Sequence, residues 1–114
     1  MSQELKDRTK AFALRIIRLT EALPTGRTAD VIGRQLLRAG TSVGANYRAA
    51  CRAKSRKDFV AKLGTVEEES DECLFWMELL VEAELMPPEA LTGLMTEADE
   101  ILSIVIASQK TARS

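Results

Sequence analysis

Histidine is absent from the 114 residues, cysteine occurs twice, and Phe12, Tyr47, Phe59, Phe75 and Trp76 are the only aromatics. Without an imidazole, no serine or cysteine has the usual base to activate it as a nucleophile. The Glu-x-x-His pairs that build ferritin-like metal centres are excluded for the same reason. Cys51 and Cys73 have no CxxC spacing, so neither a zinc site nor a thioredoxin-like pair is indicated. They read as free thiols in a reducing compartment, filling small core positions. Long apolar runs are also missing, because Arg15 and Arg18 cut the stretch from Ala11 to Leu19 well short of a membrane span. The opening residues lack the order of a signal peptide, and a cytoplasmic protein with no membrane partner is expected. No glycine-rich loop suits a nucleotide, since the segment from Gly40 to Ala45 lacks the lysine of a phosphate loop. It reads instead as a place where two helices approach closely. No enzyme activity, cofactor, metal or small-molecule substrate is therefore expected.

What is present is helical periodicity in a chain of single-domain length. A first helix of about 4–23 carries Leu5, Phe12, Ile16, Leu19 and Leu23 and stops before Pro24. A second, about 29–53, carries Ile32, Leu36, Ala39, Val43, Asn46, Ala50 and Ala53 in unbroken heptad register. Ser55 with Asp58 three residues later marks a new helix start, and a third helix runs over about 56–85 with Phe59, Leu63, Val66, Ser70, Cys73, Met77 and Leu80 in its seam. Met86-Pro87-Pro88 ends it, and a fourth, about 88–109, carries Leu91, Leu94, Met95, Ala98, Leu102 and Val105 before a polar tail. No segment alternates as a strand does. Four amphipathic helices on short turns predict an all-α, up-and-down antiparallel four-helix bundle spanning residues 1–114 as one domain.

Two helices carry more apolar surface than such a bundle covers. From Cys73 to Val81 the apolar side chains point nearly all the way round, leaving Phe75 and Leu79 on the outer face. Ile101, Ile104 and Ile106 belong to a similarly wide arc in the fourth helix. Either these stripes are wedged between neighbouring helices or they form a contact with a second copy. Self-association through Phe75, Leu79, Ile101, Ile104 and Ile106 is the expectation, because contiguous exposed apolar surface marks an interface.

The net charge of −1 conceals a strong asymmetry: residues 27–62 carry a net +7, and residues 63–109 hold twelve acids and no Lys or Arg. Folding the second helix back on the third about Lys54-Ser55 pairs positions whose numbers sum to roughly 109, given equal rise per residue. That brings Arg34 and Arg38 close to Glu68, Asp71, Glu72 and Glu78, so part of the asymmetry cancels within a hairpin. Arg48, Arg52, Lys54, Arg56 and Lys57, near the turn, escape this cancellation. Two partners would satisfy them, a nucleic-acid backbone or the acidic face of a neighbouring subunit. The run from Glu67 to Glu72 has no cation-loop signature and reads as a solvated or salt-bridged face. Gln35, Ser42, Asn46 and Glu72 lie on or beside the seam between the second and third helices. Such polar groups fix register or subunit pairing, or else line a small pocket with Gly64 and Glu67.

Several segments together resemble a known family: Leu19-Thr20-Glu21-Ala22-Leu23-Pro24, the stretch from Gln35 through Arg38-Ala39-Gly40-Thr41-Ser42-Val43-Gly44-Ala45-Asn46, Ser55-Arg56-Lys57-Asp58-Phe59, and Val66-Glu67-Glu68-Glu69 through Glu72. They resemble the bacterial four helix bundle proteins, also called the intervening-sequence proteins of large-subunit ribosomal RNA because some are encoded within insertions in that RNA gene. The resemblance covers about Lys10 to Ile106. It implies an up-and-down bundle, a ring-like homopentamer, no known enzymatic activity and a poorly defined role. A related group, the accessory variability proteins of diversity-generating retroelements, forms basic pentameric barrels that associate with nucleic acid and reverse transcriptase. After Asn46 this chain reads Tyr47-Arg48-Ala49-Ala50 where many members read Ile-Ala-Glu-Gly, so no role tied to that Glu and Gly carries over.

Overall fold

The computed structural model describes residues 2–114. It contains α1 (Ser2–Glu21), α2 (Arg27–Ala50), α3 (Arg56–Glu82) and α4 (Pro88–Arg113), with no strand among the described residues. The helices run up and down in a bundle 45 Å long and 19 Å across. Packing is intimate between α1 and α2, α2 and α3, and α3 and α4. The edge between α1 and α4 is sparser.

The turns follow local chemistry. At the α2–α3 turn the Ser55 Oγ accepts from the Asp58 amide at 3.0 Å, and the Asp58 carboxylate in return accepts the Lys54 amide at 3.1 Å. The Ser55 cap is the one that the serine and aspartate spacing predicts, while the carboxylate accepts from the residue before the cap rather than from Ser55 itself. Gly26, at φ 154°, supplies a backbone conformation at the α2 start that side-chain-bearing residues rarely adopt. At the α3 end Glu84 turns left-handed at φ 59°, while the Leu85 amide donates back to the Leu80 carbonyl and the Glu84 amide to that of Val81. That Schellman arrangement stops α3 at Glu82, three residues before the periodicity suggests.

Most of the expected seam positions of α1, α2 and α3 form the core, with Phe12, Ile16, Leu36, Val43, Leu63, Val66, Met77 and Leu80 all fully buried, whereas Leu23, Ala53 and Phe59 are only partly buried. Tyr47, absent from the expected seam, joins the core, whereas Asn46 is half-buried. In α4 Leu91, Leu94, Ala98 and Val105 are buried as expected, but Ile101 takes the place of Leu102, which is only partly buried, and Met95 is half-buried. α4 also runs through the expected polar tail to Arg113, because buried Gln109 donates to Glu67 of α3 at 2.5 Å and accepts from Arg113 at 3.2 Å. Gly40 and Gly44 set the α1–α2 spacing: a Cβ on Gly40 would stand 2.8 Å from Ile16, and one on Gly44 3.3 Å from the Thr9 carbonyl oxygen.

Candidate interaction surfaces

The outer face of α3 presents the most prominent aromatic side chain. Phe75 is 51% exposed and packs edge-on against Trp76, with ring centroids 5.0 Å apart. The Trp76 indole N–H donates to Glu72 at 2.9 Å, which holds the ring against the α2 side of the helix. Leu79, one turn beyond Phe75, is partly buried against the core. Val31 of α2, 54% exposed, lies two turns before Arg38, as Leu79 lies two turns after Glu72. Because Arg38 meets Glu72, the hairpin register sets Val31 level with Leu79.

The other expected interface residues divide. Ile106 is exposed and Ile104 half-buried, whereas Ile101 is enclosed in the core and unavailable to any partner. The apolar arc of α4 is wide enough that either Ile101 or Leu102 could point inward, and Ile101 does.

The polar residues beside the α2–α3 seam do not converge on one pocket. Gln35 accepts from the Arg38 guanidinium at 3.2 Å, and Asn46 donates to the Ser42 carbonyl at 2.9 Å, so each is satisfied within α2. Glu72 pairs with Arg38, while Glu67 turns the other way to Gln109. The acidic run of α3 thus wraps around its helix. No group of three or more potential metal-ligating side chains converges among the described residues. Burial pushes the Cys73 thiol up to about 12, with Glu69 and Glu72 adding to the shift, and burial together with Cys51 pushes the Tyr47 hydroxyl up to about 12. Neither group is poised to titrate or attack near neutral pH.

Four of the five cations near the α2–α3 turn line surface grooves, but no one groove in common. Arg48 and Arg52 face α1, where they line a groove of about 380 Å³ with Lys6, Lys10 and Asp7. They also line an adjoining depression of about 430 Å³ with Lys54, Asp58 and Lys62. Arg56 instead borders a separate apolar cleft on the α4 side, and Lys57 lines neither groove. Lys62 pairs with Asp58 at 2.7 Å, and the Lys62 ammonium holds the Asp58 carboxyl below its ordinary range with help from the Lys54 amide. Lys6, Lys10, Arg48 and Arg52 form no ion pair among the described residues. The contribution of Lys6 and Lys10 depends on the close α1–α2 approach at Gly44. Their four-residue spacing on one helical face was the available signal.

Fold and surface together define a small all-α bundle whose distinctive features are exposed apolar and charged faces. The chain matches the model of the 23S rRNA-intervening sequence proteins over residues 2–107. It is also similar to a crystal structure, at 1.70 Å resolution, of a protein of unknown function from the S23 ribosomal protein family of Bacteroides thetaiotaomicron. The two are 37% identical, with a TM-score of 0.87 over 93% of this chain and 98% of the other. No curated protein matches. The chain belongs to the 23S rRNA-intervening sequence protein family. No helix of the described residues is long and apolar enough to cross a membrane.

Proposed function

We propose that the chain is a non-enzymatic module that works as a homo-oligomer, the pentamer of the family resemblance, serving as a scaffold or accessory interaction protein in the cytoplasm. The observation that carries this reading is the exposed Phe75 ring on the outer face of α3, with Val31 and Leu79 on neighbouring surface. An apolar grouping of this kind favours contact with another apolar surface, at about 25 cal/mol for each Å² removed from water. Replacing Phe75 and Leu79 together by serine tests it. The double variant is expected to retain its helical content and to sediment at a smaller mass than the parent. An unchanged mass would remove this face from the assembly.

A second reading has its own observation: Lys6, Lys10, Arg48 and Arg52 line one groove with only Asp7 opposing them. Such a groove suits a nucleic-acid backbone, whose binding releases counterions and weakens steeply with salt. Titration of RNA and of DNA at low and high salt tests it, with Arg48→Glu/Arg52→Glu as the control. Failure to bind at low salt rejects this reading.

A further inference from the structure

The largest apolar cleft lies at the basic end of the bundle, about 880 Å³ lined by Tyr47 and Ala50 of α2, Phe59 of α3, and Ile104, Ala107 and Thr111 of α4. No residue of α1 lines it among the described residues. Leu5 and Arg8 border only a smaller adjoining cavity of about 110 Å³, which shares Tyr47 and Ile104 with the cleft. At this end α2, α3 and α4 bound the cleft, and the first residues of α1 lie instead beside α2, where Gln3 and Lys6 share a groove with Arg48 and Arg52. The cleft runs along the last turns of α4.

We infer that this cleft is a socket for the outer face of α3 of a second copy, with Phe75 inserted between α4 and the α2–α3 turn. The inference rests on the self-association proposed above and names the surface that receives the exposed aromatic. Two complementarities carry it. In shape and polarity, a half-exposed aromatic ring on a helix meets an open, largely apolar cleft. In charge, Arg56 borders the cleft with Lys54 and Lys57 as its near neighbours in sequence, whereas Phe75 is flanked along α3 by exposed Asp71, Glu78 and Glu82. None of these six charged residues forms an ion pair among the described residues. Opposite fields of this kind steer encounter and fix register between partners.

The contact has a definite symmetry. Phe75 stands 16 residues along α3 from Phe59, roughly 24 Å at about 1.5 Å per residue, so a chain cannot fill its own socket. Face and socket are different surfaces, which makes the contact heterologous. Heterologous contacts close into rings or run on as filaments.

Two variants that each disable one surface provide the test. Phe75→Glu removes the inserted ring, and Ala107→Arg, at an exposed position, blocks the socket. Each is expected to keep its helical circular dichroism and to sediment alone as a monomer. Mixed in equal amounts, they are expected to form a heterodimer and nothing larger, because only one intact face and one intact socket remain. In the parent chain, Arg56→Glu is expected to weaken association at least tenfold, and adding Glu78→Lys to restore part of it. An Ala107→Arg variant that assembles like the parent, or a mixture that stays monomeric, overturns the socket while leaving self-association through α3 standing. A parent chain that is itself monomeric overturns both.

Discussion

The Arg38 guanidinium of α2 meets the Glu72 carboxylate of α3, with Glu69 at 3.2 Å beside it. The two pairs straddle the register expected from folding the hairpin about Lys54-Ser55, so a basic helix and an acidic helix neutralise each other partway along their shared face. Arg34, expected to do the same, turns instead to Asp30 of its own helix at 3.1 Å. The pairing is modest in energy, because the Arg38 and Glu72 side chains keep 47% and 34% of their exposure. Glu72→Gln is expected to cost no more than about 1 kcal/mol in urea unfolding. Since Glu72 also accepts the Trp76 indole N–H, the same substitution is expected to change the fluorescence of the chain's one tryptophan.

The sparse α1–α4 edge is tied by Arg8, which reaches Glu97 at 2.6 Å and Glu100 at 2.9 Å. The hydrogen bonds from Arg8 hold the Glu97 carboxyl below its ordinary value and raise the guanidinium further above neutrality. Only the carboxylate titrates in an accessible range. A depressed carboxyl contributes stability that is complete above the unfolded value of about 4.3 and is lost as pH falls through the lower folded value. The chain is therefore expected to lose stability on acidification below about pH 4.3, and Arg8→Ala to flatten that loss at a cost of about 1 kcal/mol at neutral pH. Hydrogen exchange is expected to show α1 loosening first in the variant. Equal acid sensitivity in parent and variant would contradict the assignment.

Glu84 occupies the left-handed position of the α3 cap without the freedom of a glycine. Glu84→Gly is expected to stabilise the chain by about 1 kcal/mol, read as a higher melting temperature. A lower melting temperature would mean that the Glu84 side chain contributes something its backbone strain does not reveal.

Gly40 carries the close approach of α1 to α2. Gly40→Ala would place a methyl 2.8 Å from Ile16, a fully buried side chain with no room to turn away. Although alanine favours the helix by about 1 kcal/mol, overpacking costs about 1–3 kcal/mol, so a net loss of about 1 kcal/mol is expected in urea unfolding.

Helix number, order and most of the core follow from periodicity and turn chemistry, because Pro24, Ser55 with Asp58, and Pro87-Pro88 act locally. The departures arise where tertiary contacts decide. α3 ends early because Glu84 adopts a conformation that sequence pattern does not encode, and α4 runs on because Gln109 finds Glu67 across the bundle. Ile101 displaces Leu102 from the core because a stretch apolar on most sides carries little phase information. The basic end splits for a similar reason: Arg48 and Arg56 are close in sequence, but one faces α1 and the other α4. The grooves themselves depend on which helices are neighbours and how far each extends, and no single helical stripe records that.

On the proposed reading, the exposed apolar face of α3 meets another copy of the chain. Sedimentation equilibrium of the parent protein at tens of micromolar tests it most directly. A mass several times the 12.6 kDa of one chain is expected, and five times that mass for the proposed pentamer. A mass of one chain across that concentration range would contradict it.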